Sequence, residues 1–202
     1  MATDTTVHVI DDDEAVRESL AFMLEAAELT VKTYESAVRF LDRFAPLDGG
    51  CIVTDIRMPE MTGLELVRHL RDRGSSLPVI VITGHGDVPL AVEAMRAGVV
   101  DFIEKPFNDE SILGAVRRAL DLSHDQAKLI AERKEIADRL ARLSGRERQV
   151  LDGLVAGHAN KVVALNLGIS PRTVEVYRAN LMTKMRASSL SELVRMTLNA
   201  SR

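Results

Sequence analysis

Cysteine and aromatic residues are scarce in this chain. Among its 202 residues there is one cysteine, no tryptophan and an aromatic fraction of 3%. Because Cys51 has no second cysteine to pair with, intramolecular disulfides and thiolate zinc sites are excluded, and its position in an apolar run favours a packing role. No stretch approaches the roughly 18 apolar residues that a membrane helix needs, and the N-terminus has no basic segment before an apolar one. We therefore expect a cytoplasmic protein without a membrane partner.

Charge is distributed unevenly along the chain. Residues 1–120 contain 12 Lys/Arg and 21 Asp/Glu, residues 121–143 contain 5 and 5, and residues 144–202 contain 9 and 4, which gives net charges of −9, 0 and +5. We interpret these segments as an acidic domain, a linker and a basic domain. The positive charge of the last segment indicates a polyanionic partner such as nucleic acid.

Short apolar runs alternate with helical periodicity in residues 1–120. Positions such as Leu20, Phe40 and Val116 have the spacing of buried helix faces. The last helix is expected to begin at about Asn108, with Leu120 among its buried positions. This alternation of five strands and five helices predicts an α/β domain with a parallel sheet and right-handed crossovers. The predicted strands cover residues 7–10, 31–34, 51–54, 78–82 and 99–104.

Polar side chains follow these strands where each strand ends. Because the carboxyl ends of parallel strands meet at one edge of a sheet, we expect these side chains to share a crevice. Carboxylates there suit Mg²⁺, which keeps several waters that a phosphate can replace. The alternative is that the acids after the first strand only favour the start of a helix. The interaction of such a charge with the helix dipole stabilises a helix by just about 0.3–1 kcal/mol. A carboxylate nucleophile, a hydroxyl and an ammonium beside the cation predict phosphoryl transfer to Asp55, in a crevice formed by Asp11, Asp12, Asp55, Thr83 and Lys105.

The same residues resemble the receiver domain of two-component response regulators. The resemblance covers residues 7–120 and rests on the Asp11-Asp12 pair, Asp55 with Met58-Pro59 and Gly63, Thr83, and Lys105-Pro106. It implies a flavodoxin-like fold, a cis Lys105–Pro106 peptide, and Asp55 as the phosphoacceptor. It further implies phosphoryl contacts by Thr83 and Lys105, a conformational switch by Thr83 and Phe102, and a Mg²⁺ site formed by Asp11, Asp12, Asp55 and the backbone carbonyl of Arg57.

A phosphatase that uses Asp55 as a covalent nucleophile is the alternative from another class. Haloacid-dehalogenase phosphatases carry a second aspartate two residues after the nucleophile, and Arg57 occupies that position here. We therefore expect a phosphoacceptor and not an enzyme, with slow autodephosphorylation as its only catalytic activity.

The neutral segment, residues 121–143, lacks glycine and proline and is predicted to be helical. Leu122, Leu129, Ile136 and Leu143 recur every seven residues, whereas Gln126 and Arg133 occupy the other core positions, as the sequence 121–143 shows. A weak coiled coil and a helical spacer that packs along one edge are both compatible with this pattern.

The basic segment, residues 144–202, has the pattern of four short helices with tight turns, which predicts an all-α helix-turn-helix module. Ser144 with Glu147, like Thr62 with Glu65 earlier and Ser189 with Glu192 later, has the spacing of a capping box. On the third of these helices one side carries the buried stripe, and the opposite side carries small or polar residues, as expected for a helix in a major groove. The predicted buried stripe consists of Val174, Tyr177, Leu181 and Met185.

Residues 143–198 are similar to the LuxR-type DNA-binding domain. The matching stretches are Leu143 to Arg148, Gly157 with Asn160-Lys161, and Ile169 to Arg178; Val162-Val163 and Tyr177 depart from the usual pattern. The resemblance implies base contacts by Glu175, Val176 and Ala179. It also implies contacts to the backbone or groove edge by Lys161, Arg172, Thr173, Arg178 and Lys184, and dimer contacts by the last helix.

Together the two resemblances imply a transcriptional response regulator similar to the FixJ and NarL families. The runs 83–95 and 101–107 resemble the FixJ family more closely. The expected partners are a sensor histidine kinase, which in that family is an oxygen-sensing haem protein, promoter double-stranded DNA, a second copy of the chain after phosphorylation, and RNA polymerase. The implied output is activation of nitrogen-fixation genes under low oxygen. Regulators that answer other kinases share these motifs, so the stimulus stays open. The operator, activation as against repression, the lifetime of the phosphate and the mode of inhibition before phosphorylation stay open as well.

Overall fold

The computed structural model describes residues 6–44, 49–84 and 88–200. The chain divides into two compact units, residues 1–127 and 128–202. Within the described ranges, none of the helices has both the length and the apolar character that crossing a membrane requires.

The first unit contains a five-stranded sheet in which every neighbouring pair of strands is parallel, as predicted. The strand order is β2-β1-β3-β4-β5. The boundaries differ from the predicted ones by at most two residues; β4 begins after Pro78, which has no N–H to donate. The strands are β1 (Thr6–Ile10), β2 (Thr30–Tyr34), β3 (Cys51–Asp55), β4 (Val79–Thr83) and β5 (Asp101–Glu104).

Helices cover both faces of this sheet, and two separate apolar clusters fill the space between. One cluster contains Phe40, Ile52 and Leu66, and the other contains Leu24, Val53 and Ile112. Adjacent residues of β3 therefore point to opposite faces, and all five of its residues are buried. The helices are α1 (Glu14–Ala26), α2 (Ala37–Arg43), α3 (Gly63–Asp72), α4 (Val88–Arg96) and α5 (Asp109–Ala141).

Helix α5 is a single helix that includes the predicted last helix of the receiver and nearly all of the predicted helical linker. It has 33 residues and carries no glycine or proline after Gly114. No residue with a strong tendency to end a helix occurs near position 120, so the helix continues. Leu129 and Ile130 on it are exposed, whereas Ile136 and Leu140 pack against the core of the second unit.

The second unit is all-α, as predicted, and its core is formed by residues such as Val150, Leu181 and Met185. Two of the three predicted capping boxes form completely, at Thr62 and at Ser144. The third forms only in part: the Ser189 hydroxyl accepts from the Glu192 N–H, but the Glu192 carboxylate accepts from Ser188 instead. The remaining helices are α6 (Gly145–Val155), α7 (Asn160–Leu167), α8 (Pro171–Met185) and α9 (Leu190–Ala200).

Candidate functional site

Three charged side chains meet at the carboxyl edge of the sheet. The Lys105 ammonium donates to Asp55 Oδ1 at 2.8 Å and to Asp11 Oδ2 at 3.0 Å. Asp11 follows β1, Asp55 ends β3 and Lys105 follows β5, so residues 94 positions apart in the sequence are brought together. Both carboxylates are buried, at 2% and 8% exposure. Three of the five side chains predicted to share this edge of the sheet therefore meet there as a compact group of opposite charges.

The backbone around Asp55 holds its carboxylate in place. Its Oδ2 accepts from the Arg57 N–H at 2.6 Å. The Gly63 N–H donates to the Ile56 carbonyl at 2.9 Å, which brings the start of α3 against the end of β3. A Cβ built on Gly63 would lie 2.2 Å from the Asp55 carbonyl oxygen. Gly63 is thus required for close backbone approach and not for an unusual dihedral angle, a role that the sequence alone did not reveal.

Burial and pairing oppose each other at this site. Burial raises the pKa of Asp11, although hydrogen bonds from Lys105 and the Asp13 N–H partly offset it. Burial alone would lower the pKa of Lys105, but its bonds to Asp55 and Asp11 outweigh this effect, and the pKa is raised. The ammonium therefore stays protonated at neutral pH, and a further cation at Asp11 would favour the charged carboxylate.

The residues expected to hold Mg²⁺ fit that ion. Asp11 and Asp55 present carboxylate oxygens to one crevice, and Asp12 and Arg57 beside them are exposed. In the described ranges no three His, Cys, Asp or Glu side chains are grouped as a metal cage. A small number of protein ligands is sufficient for Mg²⁺, because this ion retains several waters and binds through one or two carboxylates.

The two expected switch residues lie on the neighbouring strands β4 and β5. Thr83 ends β4 with 1% exposure, and its carbonyl accepts from the Lys105 N–H at 2.7 Å. Phe102 pairs with Val81 in the strand register and is only partly buried against the cluster that contains Phe40. The Lys105–Pro106 peptide is cis, as the resemblance implied.

Two residues near the site have roles that the sequence analysis missed. Asp13, in the acidic run after β1, is the N-cap of α1, and its carboxylate accepts from the N–H groups of Ala15 and Val16. Arg17 donates to the Asp11 carbonyl at 2.7 Å and so links α1 to the end of β1. An aspartate directly before a helical pattern is a recognisable cap signal, whereas the contact of Arg17 has no sequence signal.

The residues expected to contact DNA lie on α7 and α8. Of the predicted core stripe, Val174, Leu181 and Met185 are fully buried and Tyr177 is partly buried. Thr173 belongs to the N-terminal cap of α8, where its hydroxyl lies 2.8 Å from that of Ser170. The predicted DNA-binding residues that are exposed are Lys161, Arg172, Glu175, Val176, Ala179 and Lys184, while Thr173 and Arg178 are partly exposed.

Lys184 has a structural partner that the sequence did not indicate. Its ammonium donates to Glu147 Oε2 at 2.7 Å, and Glu147 also completes the capping box with Ser144. The hydrogen bond from Lys184, followed by that from Ser144, lowers the pKa of Glu147 to about 2. DNA contact by Lys184 stays a prediction, but this ion pair joins the end of α8 to the start of α6.

Loss of the Glu147 charge is expected to destabilise the second unit. The pKa shift corresponds to about 3 kcal/mol, and because the Lys184 side chain is 44% exposed we expect about 1–2 kcal/mol for Glu147→Gln. Since the folded pKa is depressed, this stability is present above pH ~4.5 and is lost as the pH falls toward ~2. Urea unfolding, followed by Tyr177 fluorescence in a Tyr34→Phe background, measures it.

Asp152→Asn is the matched control, because it removes one carboxylate from the exposed Arg148–Asp152 pair of the same helix, at 3.6 Å. A change below about 0.5 kcal/mol is expected there. Equal destabilisation by the two variants would contradict a specific role of Glu147.

Comparisons with known proteins agree with this geometry. Residues 7–117 match the response regulator receiver domain, and residues 141–197 match the bacterial regulatory proteins of the luxR family. The transcriptional regulatory protein FixJ of Azorhizobium caulinodans is 61% identical over 200 residues, which are 99% of this chain and 95% of that protein.

Two solved structures are similar over nearly the whole chain. The response regulator StyR is 39% identical with a TM-score of 0.84, covering 96% of this chain and 98% of its own. Full-length FixJ from B. japonicum is 50% identical with a TM-score of 0.60, covering 99% and 98%. The chain therefore belongs to the FixJ-like two-component response regulators, which join a receiver domain to a LuxR-type DNA-binding domain.

Proposed function

We propose that phosphorylation of Asp55 by a sensor histidine kinase switches this transcriptional regulator to a dimeric, DNA-binding form. The observation that carries the proposal is the buried Asp55 carboxylate, held by the Lys105 ammonium at 2.8 Å and by the Arg57 N–H at 2.6 Å. A receiver joined to a DNA-binding domain is the architecture of a transcription factor and not of an enzyme. We propose domain limits of 1–120 for the receiver, 121–143 for the helical linker and 144–202 for the DNA-binding domain.

The chemical step is transfer of a phosphoryl group from a kinase phosphohistidine to Asp55. A carboxylate oxygen forms the new P–O bond while the P–N bond breaks, and the imidazole nitrogen retains the electron pair and takes up a proton. Lys105 balances the added negative charge, and the Thr83 hydroxyl binds a phosphoryl oxygen. When bound by Asp11, Asp12, Asp55 and the Arg57 carbonyl, Mg²⁺ supplies further neutralisation of the phosphoryl charge.

The phosphorylated site acts on the rest of the receiver through Thr83 and Phe102. These residues lie on hydrogen-bonded strands, and the Thr83 carbonyl already accepts from Lys105. Movement of the Thr83 hydroxyl toward the phosphoryl group leaves space into which the partly buried Phe102 ring can turn. The surface formed by α4, β5 and α5 changes as a result, and two copies of the chain pair.

Helix α8 is the proposed recognition helix. Glu175, Val176 and Ala179 meet base edges, while Lys161, Arg172, Thr173, Arg178 and Lys184 contact the backbone or the groove edge. The 61% identity to FixJ supports activation of nitrogen-fixation genes through RNA polymerase, in response to an oxygen-sensing haem kinase. The second candidate is the same architecture under another kinase and stimulus, because the response regulator StyR is also similar over 96% of the chain.

The proposal predicts that a phosphoryl mimic changes both the mass and the DNA affinity of the chain. With beryllofluoride and Mg²⁺, light scattering should show a shift from monomer to dimer, because the mimic occupies Asp55. A short duplex, enriched by the mimic-treated protein from a randomised pool, should then bind at least about tenfold more tightly than without the mimic. Beryllofluoride without Mg²⁺ is the control and should cause neither change.

A mimic-induced rise in DNA affinity by a chain that stays monomeric would contradict the dimerisation step. It would favour release of a masked DNA-binding domain. If neither mass nor affinity responds, regulation by phosphorylation itself is wrong.

Loss of Arg172 is expected to weaken DNA binding through charge. The Arg172 side chain is exposed in the first turn of α8, where it can reach a DNA phosphate. For Arg172→Gln, the slope of log affinity against log salt concentration should fall by about 1, with a similar loss on all duplex sequences. Arg148→Gln, an exposed charge on α6 that is paired with Asp152, should leave the slope unchanged. An unchanged slope for Arg172→Gln would exclude the phosphate contact.

A further inference from the structure

The C-terminal end of the recognition helix is held by a residue outside α7 and α8. Arg139, in the last turn of α5, donates from Nη1 to the main-chain oxygen of Met185 at 3.0 Å. Helix α8 ends at Met185, and Arg186 follows in a left-handed conformation with φ 53°. The last carbonyls of a helix have no partner within the helix, so this bond satisfies one of them. The guanidinium charge also lies at the negative end of the α8 dipole.

Arg139 is itself fixed by its surroundings. Its Nη2 donates to Glu135 Oε1 at 2.5 Å, one turn earlier on α5, and the same carboxylate oxygen lies 3.8 Å from Arg186 Nη1. The Arg139 side chain is only 17% exposed, compared with 75% for Arg186. Both terminal nitrogens of the Arg139 guanidinium are therefore engaged within the protein.

Apolar contacts join the same two helix ends. Ile136 and Leu140 of α5 pack against the cluster that contains Leu181 and Met185 of α8. On another flank of α8, Lys184 pairs with Glu147 of α6. Contacts from α5 and α6 therefore fix the position of the C-terminal end of α8. A displacement of the last turns of α5 would displace this end of α8 as well.

We propose that Arg139 is a positioning residue for operator recognition, which acts by fixing the end of α8 and does not contact DNA. The proposal rests on the proposed role of α8 in base recognition. A displaced recognition helix loses base contacts, which carry sequence preference, more than it loses phosphate contacts, which depend mainly on charge. The ratio of operator to random-duplex affinity is therefore the quantity that Arg139 should control.

The test uses the full-length protein, a short duplex enriched by the wild type from a randomised pool, and a random duplex of equal length. Arg139→Gln should lower the affinity ratio about tenfold while the salt slope on the random duplex stays unchanged. Arg139→Lys keeps the charge and can still reach the Met185 carbonyl, so it should restore part of the ratio. Arg142→Gln removes a neighbouring exposed charge and should leave the ratio unchanged.

Arg139→Gln could instead lower the affinity for both duplexes equally and lower the slope of log affinity against log salt concentration by about 1. That result would identify Arg139 as a phosphate contact and overturn the proposal. An unchanged ratio for Arg139→Gln would also overturn it. If circular dichroism shows that Arg139→Gln does not fold, Glu135→Ala decides, because it removes the side-chain acceptor that holds Arg139 and should lower the ratio without removing a cation. Failure of the wild type to enrich any duplex would instead refute the proposed function.

Discussion

An Asp55→Asn variant is expected to incorporate no phosphoryl group from acetyl phosphate and Mg²⁺, under conditions in which the wild type gains one. The amide has no carboxylate oxygen to attack phosphorus. It also disturbs the site, because the wild-type carboxylate accepts from Lys105 through Oδ1 and from the Arg57 N–H through Oδ2. Whichever way the amide is turned, its NH₂ group faces one of these donors. Intact-mass spectrometry measures the incorporated group directly.

Asp101→Asn is the matched control for this experiment. Asp101 is a carboxylate on β5 of the same unit, but it pairs with Arg118, away from the Lys105 ammonium. It should be phosphorylated like the wild type, and circular dichroism should show that both variants are folded. Equal phosphorylation of Asp55→Asn and the wild type would mean that the acceptor is another residue, and the proposed switch would be wrong.

A Gly63→Ala substitution should destabilise the receiver by about 3 kcal/mol, although it adds a single methyl group. The new Cβ would lie 2.2 Å from the Asp55 carbonyl oxygen and 3.2 Å from Thr54 Cγ2. Because the closer atom belongs to the backbone of a fully buried strand, α3 must move away from β3. Urea unfolding in a Tyr177→Phe background, where Tyr34 is the remaining tyrosine, reports on the first unit alone.

Gly114→Ala provides the comparison, since it makes the same chemical change in the same unit. Gly114 lies inside α5, and the nearest atom to its added Cβ is the end of the flexible Arg118 side chain, at 3.4 Å. Alanine favours a helix over glycine by up to about 1 kcal/mol, so this variant should be neutral or more stable. If Gly63→Ala were equally harmless, the close approach of α3 to β3 could not be essential to the fold.

The architecture of the first unit was predictable because its signals are local. Apolar runs, caps and polar strand ends each occupy a few consecutive residues, and the rules for parallel sheets then bring the strand ends together. Asp55 and Lys105 could therefore be assigned to one crevice although they are 50 residues apart. Charge patterning placed a segment boundary after Leu120, but no helix-ending residue occurs there and α5 continues beyond it.

The contacts that hold α8 could not be predicted in this way. Lys184 and Glu147 are 37 residues apart, and Arg139 and Met185 are 46 apart. Helical periodicity assigns Lys184 to a flank of α8 but does not show which helix packs beside it. The close approach at Gly63 is likewise a matter of backbone packing, which a glycine in a sequence cannot distinguish from a turn.

The order of strands in the sheet has a consequence for protein synthesis. Beyond the β1–β2 pair, β3, β4 and β5 follow one another across the sheet in the order in which they leave the ribosome. Lys105 follows the last of them, and the α5 residues that cover one face, such as Ile112, emerge later still. A nascent chain therefore carries Asp11 and Asp55 without their common counter-ion until translation has passed β5. The common counter-ion of the two carboxylates is therefore available only once β5 has been passed, and the face of the sheet that α5 covers is completed after it.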